Sequence, residues 1–148
     1  MPQSLLRILV HHVFSTKNRE PFLAAHHRNR MFDYLGGILK GLNCPPIRVG
    51  GAADHVHVLF VLQRTESLSD VVEELKKQSS KWAKGTIHPN FYWQSGYGAF
   101  SVSPSNVEQV VVYIENQEVH HRTMTYQEEL RELLRRHEIE WDERYVWD

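Results

Sequence analysis

One cysteine in 148 residues, Cys44, cannot form an intramolecular disulfide. That excludes the disulfide-stapled secreted class and fits a reducing compartment, so a cytoplasmic location is expected. Cys44 precedes Pro45-Pro46 and reads as a small packing residue. Long apolar runs are also absent. The run Leu5 to Val10 is broken by Arg7 and is too short for a signal peptide or a membrane span, so no membrane partner is expected. Charge of one sign is missing too. Seventeen Lys and Arg stand against 18 Asp and Glu, a net charge of −1. Any nucleic-acid site must therefore come from local clustering of basic residues. There is no repeat, linker or low-complexity tract. What remains is a globular composition, 41% hydrophobic and 24% charged, read as one domain over 1–148 with a sizeable core.

Periodicity lays out the elements. Leu5 to Phe14 reads as a strand, with Ile8, Val10, His12 and Phe14 on one face and Leu9, His11 and Val13 on the other. Ala24 to Leu42 reads as a helix, with Phe32, Leu35, Leu39 and Leu42 at helical spacing. Asn43-Cys44-Pro45-Pro46 stops it. Ile47 to Gly51 and His55 to Leu62 form a hairpin about a Gly-Ala-Ala-Asp connection. Ser69 to Lys84 is a second helix, with Ser69 as its cap, Leu68, Val71, Val72, Leu75, Ser79 and Trp82 as its inner stripe, and Gly85 as its close. A fourth, bulged strand is expected within Phe91 to Ser101. Ser103-Pro104 then opens a third helix running to about Glu118. A last helix, Tyr126 to Arg136, precedes an aromatic, charged tail. The first six elements are those of a ferredoxin-like, split βαβ antiparallel sheet with helices on one face. The fold class is thus α+β, with added C-terminal helices and one sheet face left for a partner, a substrate or an added helix.

Two motifs carry chemistry. His55 and His57 are two apart on a strand and project to the same face, while Val56, Val58 and Phe60 point toward the helices. Paired imidazoles can bind one metal; two half-buried strand histidines are the bland alternative. Tyr113 and Gln117 are neighbours at i and i+4, at the margin of the stripe Val107, Val110, Val111 and Ile114. A buried tyrosine with a bonded glutamine is the bland reading there. His120 and His121 are further possible ligands, or solvated residues near a helix end. Taken together, two imidazoles, an amide oxygen and a phenol are the parts for metal-assisted attack of tyrosine on a phosphodiester. No thiolate ligand is evident, and the mixed nitrogen and oxygen set suits Mg²⁺ or Mn²⁺, with imidazole favouring Mn²⁺.

Candidate DNA contacts are Lys77, Lys81 and Lys84, opposite the apolar stripe of the second helix with Lys76 at its flank, and Lys17 and Arg19 after the first strand. For each lysine a solvated face is the plain alternative. The aromatic segment Phe91, Tyr92, Trp93, Tyr97 and Phe100 offers rings for base stacking or for the core.

These residues resemble a known family, the small HUH-type, single-tyrosine transposases of bacterial and archaeal insertion sequences that move as single-stranded DNA. The likeness rests on Ser15-Thr16-Lys17-Asn18-Arg19, Asp54-His55-Val56-His57, Trp93-Gln94-Ser95-Gly96-Tyr97-Gly98-Ala99-Phe100-Ser101-Val102-Ser103, Tyr113-Ile114-Glu115-Asn116-Gln117 followed by His120-His121, and Trp141-Asp142-Glu143-Arg144-Tyr145-Val146-Trp147. It spans nearly the whole chain in the right order. The resemblance implies that His55 and His57 are the paired metal ligands, that Gln117 completes the site, and that Tyr113 is the nucleophile. It implies a 5′-phosphotyrosine with a freed 3′-hydroxyl, and recognition of DNA hairpins near element ends. It also implies a homodimer in which the tyrosine helix of one subunit completes the site of the other. Alternatives are a domesticated relative acting on host palindromic repeats, a catalytically silent dimeric DNA-binding protein, or an unrelated dimeric α+β metalloprotein acting on a small molecule.

Overall fold

The computed structural model describes residues 2–148. Its first strand, β1, covers Ile8–Ser15. It starts later than the periodicity suggests, because Leu5 and Leu6 lie exposed outside the sheet. A single 3-10 turn, Lys17–Arg19, follows, then α1 at Ala25–Gly41. The hairpin comprises β2, Pro46–Gly51, and β3, His55–Leu62. Helix α2 runs Leu68–Thr86. Its cap is Ser67 rather than Ser69: the Ser67 hydroxyl accepts from the Asp70 amide at 3.1 Å. Gly85 lies inside the last turn and does not close the helix.

The fourth strand, β4, is only Gly98–Val102. The segment before it was expected as strand, but it is tied down by side chains instead. Lys76 donates to the carbonyls of Gln94, Ser95 and Gly96 at 2.8, 3.1 and 2.6 Å. Three consecutive carbonyls turned onto one ammonium cannot alternate in direction as strand carbonyls must. A 3-10 turn at Pro104–Asn106 leads into α3, Val107–Glu115. The expected helix to Glu118 is interrupted at Asn116, and α4 covers Gln117–His120. Helix α5, Tyr126–Arg136, matches its expectation.

The sheet order is β2-β3-β1-β4, all antiparallel, as the split βαβ pattern requires. Alternation splits the side chains into two cores. Val10, Phe14, Val56, Val58 and Phe60 pack under α1 and α2 with Leu35, Leu39, Val71 and Leu75. On the other face Val13 and Phe100 meet Tyr126, Leu130, Leu133 and Leu134 of α5, with Trp141, Val146 and Trp147 of the tail at the edge. The added helix therefore covers the face that carries His55 and His57. Helix α3 crosses beside β2 and β3. Of its expected stripe only Ile114 is fully buried. That residue sits on Gly50, where a Cβ would lie 2.7 Å from the Ile114 Cγ2 and 2.8 Å from its carbonyl oxygen.

Candidate active site

Strand alternation delivers the first part of the site. His55 and His57 leave β3 on one face, both fully buried. His11 leaves β1 on that face, and its Nε2 lies 2.8 Å from Nδ1 of His57. Asp54, just before β3, holds Nδ1 of His55 at 2.7 Å. The C-terminal helices supply the rest. Gln117 presents its amide oxygen to Nε2 of His55 at 2.8 Å. The Tyr113 ring stands 5.6 Å from that of His57. Gln117 still lies within 3.4 Å of the Tyr113 carbonyl, so the break at Asn116 does not part the pair.

Glu129, on α5, was missed in the sequence and is the hub. It is 1% exposed. Its Oε1 lies 2.9 Å from Nε2 of His57, 3.0 Å from Nε2 of His121 and 3.3 Å from Nε2 of His55. Its Oε2 accepts from the Tyr113 hydroxyl in a short hydrogen bond and from Nε2 of Gln117 at 3.0 Å. Nε2 of His120 lies 3.4 Å from the same oxygen. The signal was present: Glu129 falls between Tyr126, Leu130 and Leu133 on the buried stripe of an amphipathic helix. A carboxylate in that place needs charged or hydrogen-bonding partners.

The electrostatics follow from burial and from Glu129. Burial disfavours charge on His55, but the carboxylates of Asp54 and Glu129 outweigh it and raise the imidazole to about 9. Burial lowers His57, aided by His55 and His121 and only partly opposed by Glu129. Burial likewise works against charge on Glu129, yet His57, His121 and His55 hold it far below the usual carboxylate range. Tyr113 is raised well above a free phenol, first by burial and then by the charge of Glu129.

The donor set fits a divalent metal. His55, His121 and Glu129 bring ligand atoms within 4.8 Å of one another, and His57 and Gln117 border them. Two grooves flank the cluster. One, of about 300 Å³, is lined by Tyr113, His11, Gln109 and Arg136. The other, of about 510 Å³, lies beside Asp54 and His121, with Arg28 and Arg122 on its wall.

The candidate DNA contacts are not gathered at this cluster. Lys77 and Lys81 are exposed on α2, across the sheet from His55 and His57, and Lys77 lies 4.0 Å from Glu74. Lys84 and Lys17 flank the exposed ring of Tyr92, at 4.1 and 5.9 Å from its centroid. Arg19 turns to the tail, donating to the Trp147 carbonyl at 3.2 Å. Of the aromatic segment, Phe91, Trp93 and Phe100 are core, while Tyr92 and Tyr97 are exposed.

In the single chain, Tyr113, Gln117, His55, His57 and Glu129 are all in contact with one another through Glu129 and His55. Ile114 seats α3 on its own β2, and a short connection returns α5 to the same face.

An α+β sheet with a histidine pair facing a helix-borne tyrosine defines the class: an HUH-type fold of the single-tyrosine transposases. The family model described as "Transposase IS200 like" matches residues 4–117, and the chain belongs to that family. A solved structure assigned as a transposase from Deinococcus radiodurans R1 is 22% identical, with a TM-score of 0.65, over 79% of this chain and 95% of that one. A REP-associated tyrosine transposase bound to a REP hairpin is 18% identical, with a TM-score of 0.61, over 82% of this chain and 73% of that one. These two likenesses establish the shared fold. A comparison with curated proteins gives no match. No helix among the described residues is long and apolar enough to cross a membrane.

Proposed function

We propose that the protein is a metal-dependent transposase that cleaves and rejoins single-stranded DNA through a 5′-phosphotyrosine on Tyr113. One observation carries this reading: the Tyr113 hydroxyl and the imidazoles of His55 and His57 meet at a single buried carboxylate. His55, His57 and Gln117 would hold a divalent ion, Mg²⁺ or Mn²⁺, which would supply Lewis-acid charge to the scissile phosphate. The chain's residues do the rest. Burial and Glu129 keep the phenol neutral until substrate arrives. Tyr113 Oη then bonds to phosphorus as the bond from phosphorus to the 3′-oxygen breaks. The phenolic proton, which the Tyr113 hydroxyl directs at Glu129 in the resting site, is lost to solvent, and the departing 3′-oxygen takes a proton from solvent. The phosphotyrosine conserves the bond for rejoining. The REP hairpin held by one structural relative makes a short DNA hairpin with single-stranded flanks the substrate to try, at an element end or a host repeat. Lys17, Lys84 and exposed Tyr92 form a patch suited to its backbone and bases. The resemblance implies a homodimer with shared sites, and subunit mixing tests whether the tyrosine helix completes the partner's site or stays with its own histidines.

The test is covalent capture. Protein incubated with such an oligonucleotide and Mn²⁺ is expected to give a denaturation-resistant adduct. Tyr113→Phe should lose it while still folding and binding DNA, and EDTA or His57→Ala should also suppress it. An adduct that persists in Tyr113→Phe would refute the assignment.

A further inference from the structure

We propose that His121 and Glu129 are protein ligands of the metal, in addition to His55 and His57. This rests on the reading above that the His55–His57 pair binds a divalent cation.

The argument starts from ring orientation. In each of three imidazoles, Nδ1 is engaged from behind: by Asp54 Oδ1 at 2.7 Å for His55, by His11 Nε2 at 2.8 Å for His57, and by the Met124 carbonyl at 2.7 Å for His121. A carbonyl can only accept, so Nδ1 of His121 is the donor. In the neutral ring Nε2 then carries a lone pair. All three Nε2 atoms converge on one oxygen, Oε1 of Glu129, at 2.9 to 3.3 Å. Lone pairs on His121 and on a carboxylate face each other stably only with a positive charge between them. Three imidazolium ions against the carboxylates of Glu129 and Asp54 would still leave a buried surplus of positive charge, which is costly. One divalent cation with neutral rings satisfies the same atoms at lower cost. An outer partner on Nδ1 is also what metal-binding histidines ordinarily show, because it fixes the tautomer and the ring plane.

Backbone geometry supports the assignment. Tyr113, Gln117 and His121 follow one another at four-residue steps, and the His121 amide bonds the Gln117 carbonyl at 3.0 Å. Nucleophile, amide and third imidazole therefore share one helical line. The oxygens of Glu129 divide in turn. Oε1 faces the imidazoles, while Oε2 holds Tyr113 and Gln117. Three nitrogens and one carboxylate oxygen suit Mn²⁺ better than Mg²⁺.

The test reads metal binding without turnover. Mn²⁺ is titrated calorimetrically into the full chain and into His121→Ala, Glu129→Gln and His57→Ala. His121→Ala and Glu129→Gln are each expected to weaken Mn²⁺ by at least ~10-fold. With Co²⁺ as the probe, the visible absorption of the bound ion should change in both. If both variants bind as tightly as the wild type while His57→Ala does not, the proposal is overturned and the underlying reading stands. Tighter binding by Glu129→Gln would also overturn it, since Glu129 would then be a competitor. If the wild type binds no Mn²⁺, or His57→Ala binds it unchanged, the underlying reading fails. Should Glu129→Gln not fold by circular dichroism, His121→Ala and its Co²⁺ spectrum decide the matter.

Discussion

His12 and Glu129 are both buried and polar, and they resolve in opposite ways. Glu129 is surrounded by partners and stays charged. His12, on the helix-facing side of β1, has a hydrogen-bond partner for neither ring nitrogen and packs against Phe14 and Tyr97. Burial, and then the nearby charges of Lys76 and His57, lower it to about 3. Below pH ~6.5 the unfolded chain binds this proton and the folded chain does not. Stability therefore falls as pH falls from about 6.5 toward 3, by about 1.4 kcal/mol for each pH unit. We expect His12→Leu to flatten that acid limb, measured by urea unfolding at pH 6.5 and 4.5. An equal acid loss in both proteins would show that His12 is not its source.

Among the elements, α3 is the one whose seat decides the chemistry. It buries little of its own surface, and Ile114 is its single fully buried side chain. What fixes it is the missing side chain of Gly50, which lets the Ile114 carbonyl approach β2. A methyl group there meets backbone, which cannot swing aside, so the helix must move. Gly50→Ala should cost about 1–3 kcal/mol of stability, the range of an overpacked contact. It should also cut phosphotyrosine formation by at least ~10-fold, because small misplacements of a nucleophile are expensive. Wild-type adduct yield and unfolding midpoint in that variant would show that Gly50 does not seat the helix. The segment before β4 teaches the same lesson. Its β-prone aromatics suggested a long strand, but the three carbonyls taken by Lys76 shorten it.

At the scale of the whole molecule, the sheet is a partition. Helices α1 and α2 fill one side, and α5 with the tail roofs the other, enclosing the histidines beneath it. In the single chain, α3, α4 and α5 meet the histidines of that same chain. If subunits of a dimer keep this arrangement, mixing Tyr113→Phe with His57→Ala, under conditions where subunits are shown to exchange, restores no adduct. Recovered activity would mean that the tyrosine helix is traded between chains.

Local patterning alone was enough to read the split βαβ order, the shared face of His55 and His57, and the Tyr113–Gln117 pair. Period-two and period-3.6 spacing act over a few residues, and they survive folding unchanged. The last helix was legible for the same reason, with bounds that match at Tyr126 and Arg136. The meeting of Glu129 with His57 was not, since it joins residues 72 apart in sequence through an α5 docking that no local pattern encodes. The position of Tyr113 likewise depends on how α3 packs against Gly50, a contact between elements far apart in the chain. Residue chemistry named the parts of the site; long-range packing chose the carboxylate at its centre and set the tyrosine against it.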